Sequence, residues 1–450
     1  MTLKIERISG KHRTRIRLSG EFRSEHVDQV KTEIERGGPR AALDLEEVDL
    51  VDVEGIRFLN ACKAEGIPML HCSPYIRKWM LREQGRAKAR TNKRKKGQAP
   101  WENEMGSTYR AVEVATPGVL RVVERPISKP AAGQVRLRVE ACGVCHSDLA
   151  TVQGDYPGLK LPRVPGHEVV GRIEEIGPNV TKWKIGQRVG VGFLGGQDGE
   201  CEPCLRGDFA NCLNPVVSGI TTDGGYAEVM IAEARALASI PDELTSADAA
   251  PLLCAGITTF NALRNAGLRA GDLVAIQGIG GLGHLGVQFA RRMGFRTVAI
   301  NNGPEKAELA KELGAHSYVD TAAEDVAAAL QRMGGAKAIL ATAPSGKAIA
   351  ALVPGLAVRG KLNVVGVAPD AIEVSSPSLV FGGRSIYGSL TGSAIDTQDT
   401  LAFSVLQDVR PMIETLPLDK APEAFARMMD GKARFRMVLV MNNGAGVSAV

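Results

Sequence analysis

Three absences narrow this 450-residue chain at the outset. No continuous apolar run reaches the roughly 18 residues that a membrane span requires, and the opening stretch "MTLKIERISGKHRTR" is charged throughout. A soluble, cytoplasmic protein without a membrane partner is expected. The cysteines lack the even scatter of a secreted disulfide framework: six of the eight fall between Cys142 and Cys254, in C-x-x-C spacings and near His and Glu. That grouping suits thiolate ligation in a reducing compartment. Strong net charge is also missing, since +5 is modest for this length and gives no argument for a specific nucleic-acid partner.

What is present is enough apolar residue, 44%, to build two or three packed cores. The first unit reads as a small α/β domain over residues 1–80. In it "TRIRLSGEF" (14–22) and "AALDLEEVDLV" (41–51) have strand patterns, and "SEHVDQVKTEIERGG" (24–38) has helical spacing, with Ser24 as its expected cap and glycine as its stop. The stretch from Arg77 to Gln98 carries ten Lys or Arg against one Glu, and residues 81–106 read as a basic linker. A start-like "MGSTYRAVEV" follows from Met105, and the body begins at 107 with strands such as "QVRLRVEACGV" (134–144).

From Asp272 the pattern becomes strand "LVAIQ", glycine turn, helix "HLGVQFARRMG", strand "TVAIN", helix "PEKAELAKELG". That alternation predicts a parallel doubly wound sheet, a Rossmann-type domain over 255–388. Its turn "GIGGLG" spans Gly278, Gly280, Gly281 and Gly283, directly after a strand and at the start of a helix. Gly278 permits the tight turn, Gly280 lets main chain approach a pyrophosphate, and Gly283 packs helix on strand, the signature of a dinucleotide site. His284 just beyond it reads as a structural helix residue. The second strand runs into "AINNGPEK", so Asn301 and Asn302 stand where NAD enzymes place the acid that holds the ribose 2′-hydroxyl. No carboxylate repels a 2′-phosphate there and no Arg stands immediately beside to bind one; NADP is favoured, with NAD the alternative.

Three separated stretches offer zinc ligands: "CGVCHSDL" with Cys145, "GHE" with His167 and Glu168, and "PLLCAGITT" with Cys254. Thiolate, imidazole and thiolate leave a fourth position open, as a Lewis-acid zinc needs. A second cysteine cluster lies in "GQDGECEPCLRGDFANC", where Asp198 precedes Cys201, Cys204 and Cys212. It is either a four-ligand metal loop in which a carboxylate replaces one thiolate or a site that has lost its metal.

The stretch "GHEVVGRIEEIGPNV" (166–180) resembles the signature of the zinc-containing alcohol dehydrogenases, in the medium-chain dehydrogenase/reductase superfamily, and the likeness extends over residues 107–442. The resemblance implies a GroES-like, mostly β catalytic domain (107–254 and 389–450) around the Rossmann domain. It implies that Cys145, His167 and Cys254 hold a catalytic zinc with Glu168 as an alternate ligand. Ser147 would carry the substrate proton, Asp148 would brace His167, and His146 would lie near the cofactor phosphates. Some relatives end the proton relay in a His where this chain has Ala150. Thr258 would face the nicotinamide amide, Arg436 the pyrophosphate, and Tyr156 and Phe193 would line a pocket for a small or medium apolar alcohol or aldehyde. In the resembling enzymes four cysteines spaced as Asp198, Cys201, Cys204 and Cys212 bind a structural zinc, and a homodimer or homotetramer is usual.

The first unit resembles the STAS, or anti-sigma-factor antagonist, family through "ALDLEEVDLVDVEGIRFLNACKAEGI" (42–67). Val53 and Glu54 stand where that family often has a phosphorylated hydroxyl residue, which implies a constitutive protein contact or a stabilising role. The expected activity is thus hydride transfer between an alcohol or aldehyde and NAD(P). Two alternatives are a regulatory protein that acts through the first unit and a zinc-independent quinone reductase.

Overall fold

The computed structural model describes residues 3–9, 13–73, 76–77, 79–80 and 108–441. The basic linker, the start-like Met105 and residues 442–450 lie outside the described residues. The chain divides into two units, residues 1–105 and 106–450.

In the first unit β1 (Lys4–Ser9), β2 (Thr14–Phe22), β3 (Ala41–Val51) and β4 (Met69–Leu70) form one sheet in that order. Alternation along β2 and β3 sends Ile16, Leu18, Leu43 and Leu45 into a core shared with helices α1 (Val27–Gly37) and α2 (Val53–Ala64). Ser24 does not cap α1. It opens a single tight turn, Ser24–His26, and its main-chain N–H donates to Asp52 Oδ2 at 2.7 Å. Asp52 is the true capping residue, for α2, where its Oδ1 accepts the Gly55 N–H at 2.7 Å. The expected glycine stop holds, with Gly38 at φ +69° after α1.

The second unit opens with the hairpin β5 (Thr108–Thr116) and β6 (Val119–Pro126). Next come β7 (Gln134–Val144), β8 (Val169–Ile176), β9 (Arg188–Val191), β10 (Leu194–Gly196), β11 (Val216–Val217), β12 (Val229–Glu233) and β13 (Ala238–Ser239). The parallel strands are β14 (Leu273–Gln277), β15 (Arg296–Asn301), β16 (Ser317–Asp320), β17 (Ala336–Ala341), β18 (Leu356–Val364) and β19 (Ser385–Gly388). They stand in the order β16-β15-β14-β17-β18-β19, so the strand order reverses beside β14. Buried on both faces, β14 has every residue inside and hence reads as an unbroken apolar run.

After β19 the chain returns to the sheet of the second unit that contains β7, through β20 (Ile413–Pro417) and β21 (Arg436–Val440), giving the path β13-β9-β8-β7-β21-β20 with β12 also paired to β7. One apolar cluster joins Ala141, Val170 and Val438 of this sheet to Val274, Ile276 and Leu285 of the parallel domain. This shared core fixes the two faces that border the candidate site.

Candidate active site

The first donor cluster assembles where β7, β8 and one turn of π-helix meet. Cys145 follows β7 and His167 and Glu168 precede β8, while Cys254 sits in the π-turn Leu252–Gly256. Such a turn widens a helix locally and recurs at functional sites. One ligand atom from each of the four lies within 4.8 Å of the others, and the two sulfurs are 3.9 Å apart. His167 is turned by Asp148, whose Oδ1 lies 2.9 Å from Nδ1; Asp148 Oδ2 accepts from the Cys145 N–H and the Tyr226 hydroxyl, both at 2.9 Å.

With Nδ1 donating to Asp148, His167 turns Nε2 toward the cluster, buried and without a hydrogen-bond partner, so that loss of one proton leaves this nitrogen free as a ligand atom. Glu168 is equally buried. One oxygen pairs with Arg436 and the other, Oε2, has no partner. Gly143 makes room for it, since a Cβ there would run into the Glu168 carboxyl.

The four groups compete for protons. The Cys254 thiol hydrogen-bonds Cys145 and holds it well below the ordinary thiol range, with the His167 charge adding to that effect, while Cys254 is pushed well above it by the same bond. Burial drives Glu168 up to about 7 against the pull of Arg436. Burial would lower His167, yet Asp148 and Cys145 raise it well above the usual imidazole value. Buried donors of the S, S, N and O types that compete for protons, with an orphaned nitrogen among them, fit a zinc ion in chemistry and number.

The second element is the glycine turn. Gly278 has φ +81°, and a Cβ at Gly280 would meet nothing within 4 Å, leaving open approach to the main chain before the helix Gly283–Arg292. A cleft of about 520 Å³ lies over this turn, lined among others by His146, Gly281, Lys306, Arg434 and Arg436. His146 and Arg436 both line this cleft, and Arg436 also neutralises Glu168. Asn301 ends β15 with its amide turned to the turn itself: Oδ1 accepts from Ile279 N–H at 3.1 Å and Nδ2 donates to Asn302 C=O at 3.0 Å. Asn302 is exposed, and Lys306 donates to Ile279 C=O at 2.7 Å.

In the second cluster Asp198, Cys201, Cys204 and Cys212 likewise bring ligand atoms within 4.8 Å of one another. Main-chain N–H groups of Asp198 and Leu213 point at Cys212 Sγ and Cys201 Sγ, each at 3.4 Å, an arrangement that favours thiolates. The Asp198 carboxylate accepts from Asn214 Nδ2 at 2.8 Å and from the N–H groups of Glu200 and Cys201, which hold it well below the usual carboxylate range.

Of the other predicted residues, Ser147 places its hydroxyl 3.8 Å from Cys145 Sγ, and the Phe193 ring meets His167 edge-on with centroids 5.3 Å apart. Thr258 is buried and donates to Leu390 C=O at 3.3 Å. Tyr156 is half-buried in the segment after the helix Leu149–Gln153. Sequence reasoning passed over Tyr226, which orients Asp148, and Asn214, which orients Asp198. Only the position of Asn214, two residues after Cys212, offered a signal. A third group of potential ligands, buried Asp44 with exposed Glu46 and His71 in the first unit, is crossed by Arg15 and Arg17, which ion-pair with Asp44.

Comparison with known proteins agrees with this arrangement. Residues 131–242 match the alcohol dehydrogenase GroES-like domain and residues 281–405 the zinc-binding dehydrogenase domain. The chain is 45% identical to the alcohol dehydrogenase patD of Penicillium expansum over 336 residues, 74% of this chain and 98% of that one. Among solved structures it is similar to a cinnamyl alcohol dehydrogenase from Sorghum bicolor, with 29% identity, a TM-score of 0.69 and coverage of 76% and 100% of the two chains. It is also similar to a CAD from Helicobacter pylori complexed with NADP(H), with 25% identity, a TM-score of 0.66 and coverage of 76% and 100%. The chain belongs to the zinc-binding alcohol dehydrogenase family. It is an oxidoreductase whose cofactors are Zn²⁺ and NAD(P). Both matched domains lie in the second unit, and no helix among the described residues is long and apolar enough to cross a membrane.

Proposed function

We propose that the second unit interconverts a small or medium apolar alcohol and its aldehyde or ketone at a zinc held by Cys145, His167 and Cys254, with Glu168 as an alternate ligand. The observation that carries this is the buried, unpartnered Nε2 of His167 facing two thiols that compete for a proton. When bound, zinc supplies a Lewis acid for the substrate oxygen and the nicotinamide supplies the hydride acceptor or donor. Asp148 keeps the His167 tautomer that exposes Nε2, and Tyr226 and the Cys145 N–H keep Asp148 in place. Ser147, exposed beside Cys145, moves the substrate proton toward water, because Ala150 offers no terminal base. Phe193 and Tyr156 give the pocket its apolar wall, and Thr258 faces the nicotinamide.

The glycine turn and the amide of Asn301 hold the dinucleotide, and the missing carboxylate favours NADP over NAD. Asp198, Cys201, Cys204 and Cys212 hold a second, structural zinc. The first unit is a STAS-like module for protein contact, and the assembly is a homodimer or homotetramer. Oxidation of NADPH and NADH by a panel of aldehydes, measured before and after chelation and again after zinc is restored, tests the activity. Turnover indifferent to complete zinc removal would leave a zinc-independent reductase in its place.

A further inference from the structure

We infer that His284 is a positioning residue that ties the phosphate-binding turn to the strand carrying Arg436, so that dinucleotide affinity depends on it although it touches no cofactor. The inference rests on the assignment of the dinucleotide to the glycine turn.

The second residue of the helix Gly283–Arg292, His284 is fully buried. Its two ring nitrogens meet partners of fixed polarity. Nδ1 lies 2.9 Å from Gly280 C=O, which only accepts, and Nε2 lies 3.2 Å from Met412 N–H, which only donates. Only the neutral ring protonated on Nδ1 satisfies both. Gly280 is the residue of the turn left open for a phosphate, so one end of the imidazole holds the very main chain that the dinucleotide meets.

The other end reaches across the molecule. Met412 C=O accepts the N–H groups of Phe435 and Arg436 at 2.9 and 3.0 Å, and the Phe435 ring stacks on His284 with centroids 5.1 Å apart and planes 26° apart. Arg436 pairs with Glu168 and lies so close to the turn that a Cβ on Gly281 would stand 2.9 Å from its Nη1. One helical turn after His284, Gln288 repeats the tie: its Nε2 donates to Arg410 C=O at 3.0 Å and its Oε1 accepts the Arg410 N–H at 3.2 Å. The segment Arg410–Met412 is therefore stapled to the dinucleotide helix from one side and carries the start of β21 on the other. A histidine that merely filled the core would need no second one-way partner 128 residues away in sequence.

The test uses the full-length, zinc-loaded protein and calorimetric titration with NADPH and NADH, with zinc content and thermal unfolding followed in parallel. His284→Leu removes both bonds; His284→Asn keeps an amide where Nδ1 was and His284→Gln where Nε2 was. The Leu variant is expected to bind dinucleotide about tenfold or more weakly, the scale of two lost neutral hydrogen bonds, at unchanged zinc content. The Asn and Gln variants are expected to fall between it and the parent. If the Leu variant does not fold, weakening of about threefold in both amide variants supports the inference. Affinity within twofold of the parent in the folded variants, with only the unfolding temperature lowered, would overturn it and leave His284 a core residue. Gly280→Val serves as the control for the underlying assignment, because its side chain enters open space. If that variant binds dinucleotide like the parent, the turn is not the site and the inference falls with it.

Discussion

Replacing Asp148 with Asn tests how the protein sets the donor properties of His167. The carboxylate accepts three hydrogen bonds, from His167 Nδ1 on Oδ1 and from the Cys145 N–H and Tyr226 hydroxyl on Oδ2. An amide has one accepting oxygen. If it faces His167, its NH₂ meets the Cys145 N–H, a donor that cannot turn away; if it faces Cys145, its NH₂ forces His167 to accept on Nδ1 and to carry its proton on Nε2, the atom left free for zinc. Either way a buried bond to a charged acceptor is lost, worth about 1.5–3 kcal/mol. At roughly 1.4 kcal/mol per decade this is about a tenfold to hundredfold loss of zinc affinity, the range typical of partners that orient a metal-ligating histidine. Competition between the protein and a chromophoric chelator reads that affinity directly, with the zinc site proposed at Asp198, Cys201, Cys204 and Cys212 as internal reference. An Asp148→Asn protein that holds both zincs as tightly as the parent would refute the assigned tautomer.

Other expectations follow from the same structure. Arg436→Met leaves Glu168 buried without its cation and should destabilise the second unit by about 3–5 kcal/mol in urea unfolding; Glu168→Gln in the same chain should restore most of that loss. Asp198→Ala should lower the zinc content from two ions to one per chain by mass spectrometry while aldehyde turnover below the unfolding temperature persists, and Asp198→Cys should keep both. Asn301→Asp should tighten NADH and weaken NADPH, shifting their ratio of dissociation constants by tenfold or more in titrations. Burial, with the charge of Arg436 adding to it, holds His284 down at about 4 against roughly 6.5 unfolded. The stability this group contributes is therefore full above pH 6.5 and lost as the pH falls toward 4. The unfolding free-energy difference between the parent and His284→Gln should shrink by about 3 kcal/mol over that window.

The parts legible in the sequence are those whose signal is local. Strand β14 reads from an unbroken apolar run because both its faces are covered, and the turn after it reads from glycines whose spacing follows from main-chain geometry. The candidate ligands were legible by type, since Cys and His, eight and seven in the chain, are rare enough to stand out when clustered. What stayed hidden depends on distant partners. Arg436 and Glu168 are 268 positions apart, and Tyr226 finds Asp148 across 78. His284 looked like an ordinary helix residue because its helical neighbours explain its place, whereas Met412, which explains its polarity, lies 128 positions away, just before β20. Ser24 was misread for a related reason: a serine before an apolar period signals a cap, but a competing carboxylate, Asp52, takes the main-chain N–H and begins a tight turn instead.

The claim on which the rest depends is that Cys145, His167 and Cys254 hold the zinc that activates the substrate. Zinc content and NAD(P)H-dependent aldehyde reduction, measured together on Cys145→Ala and Cys254→Ala proteins that remain folded, test it most directly. The account predicts the loss of one zinc per chain and of all turnover while the zinc of the Asp198 lobe stays bound. Full zinc content, or reduction that survives either replacement, would contradict it.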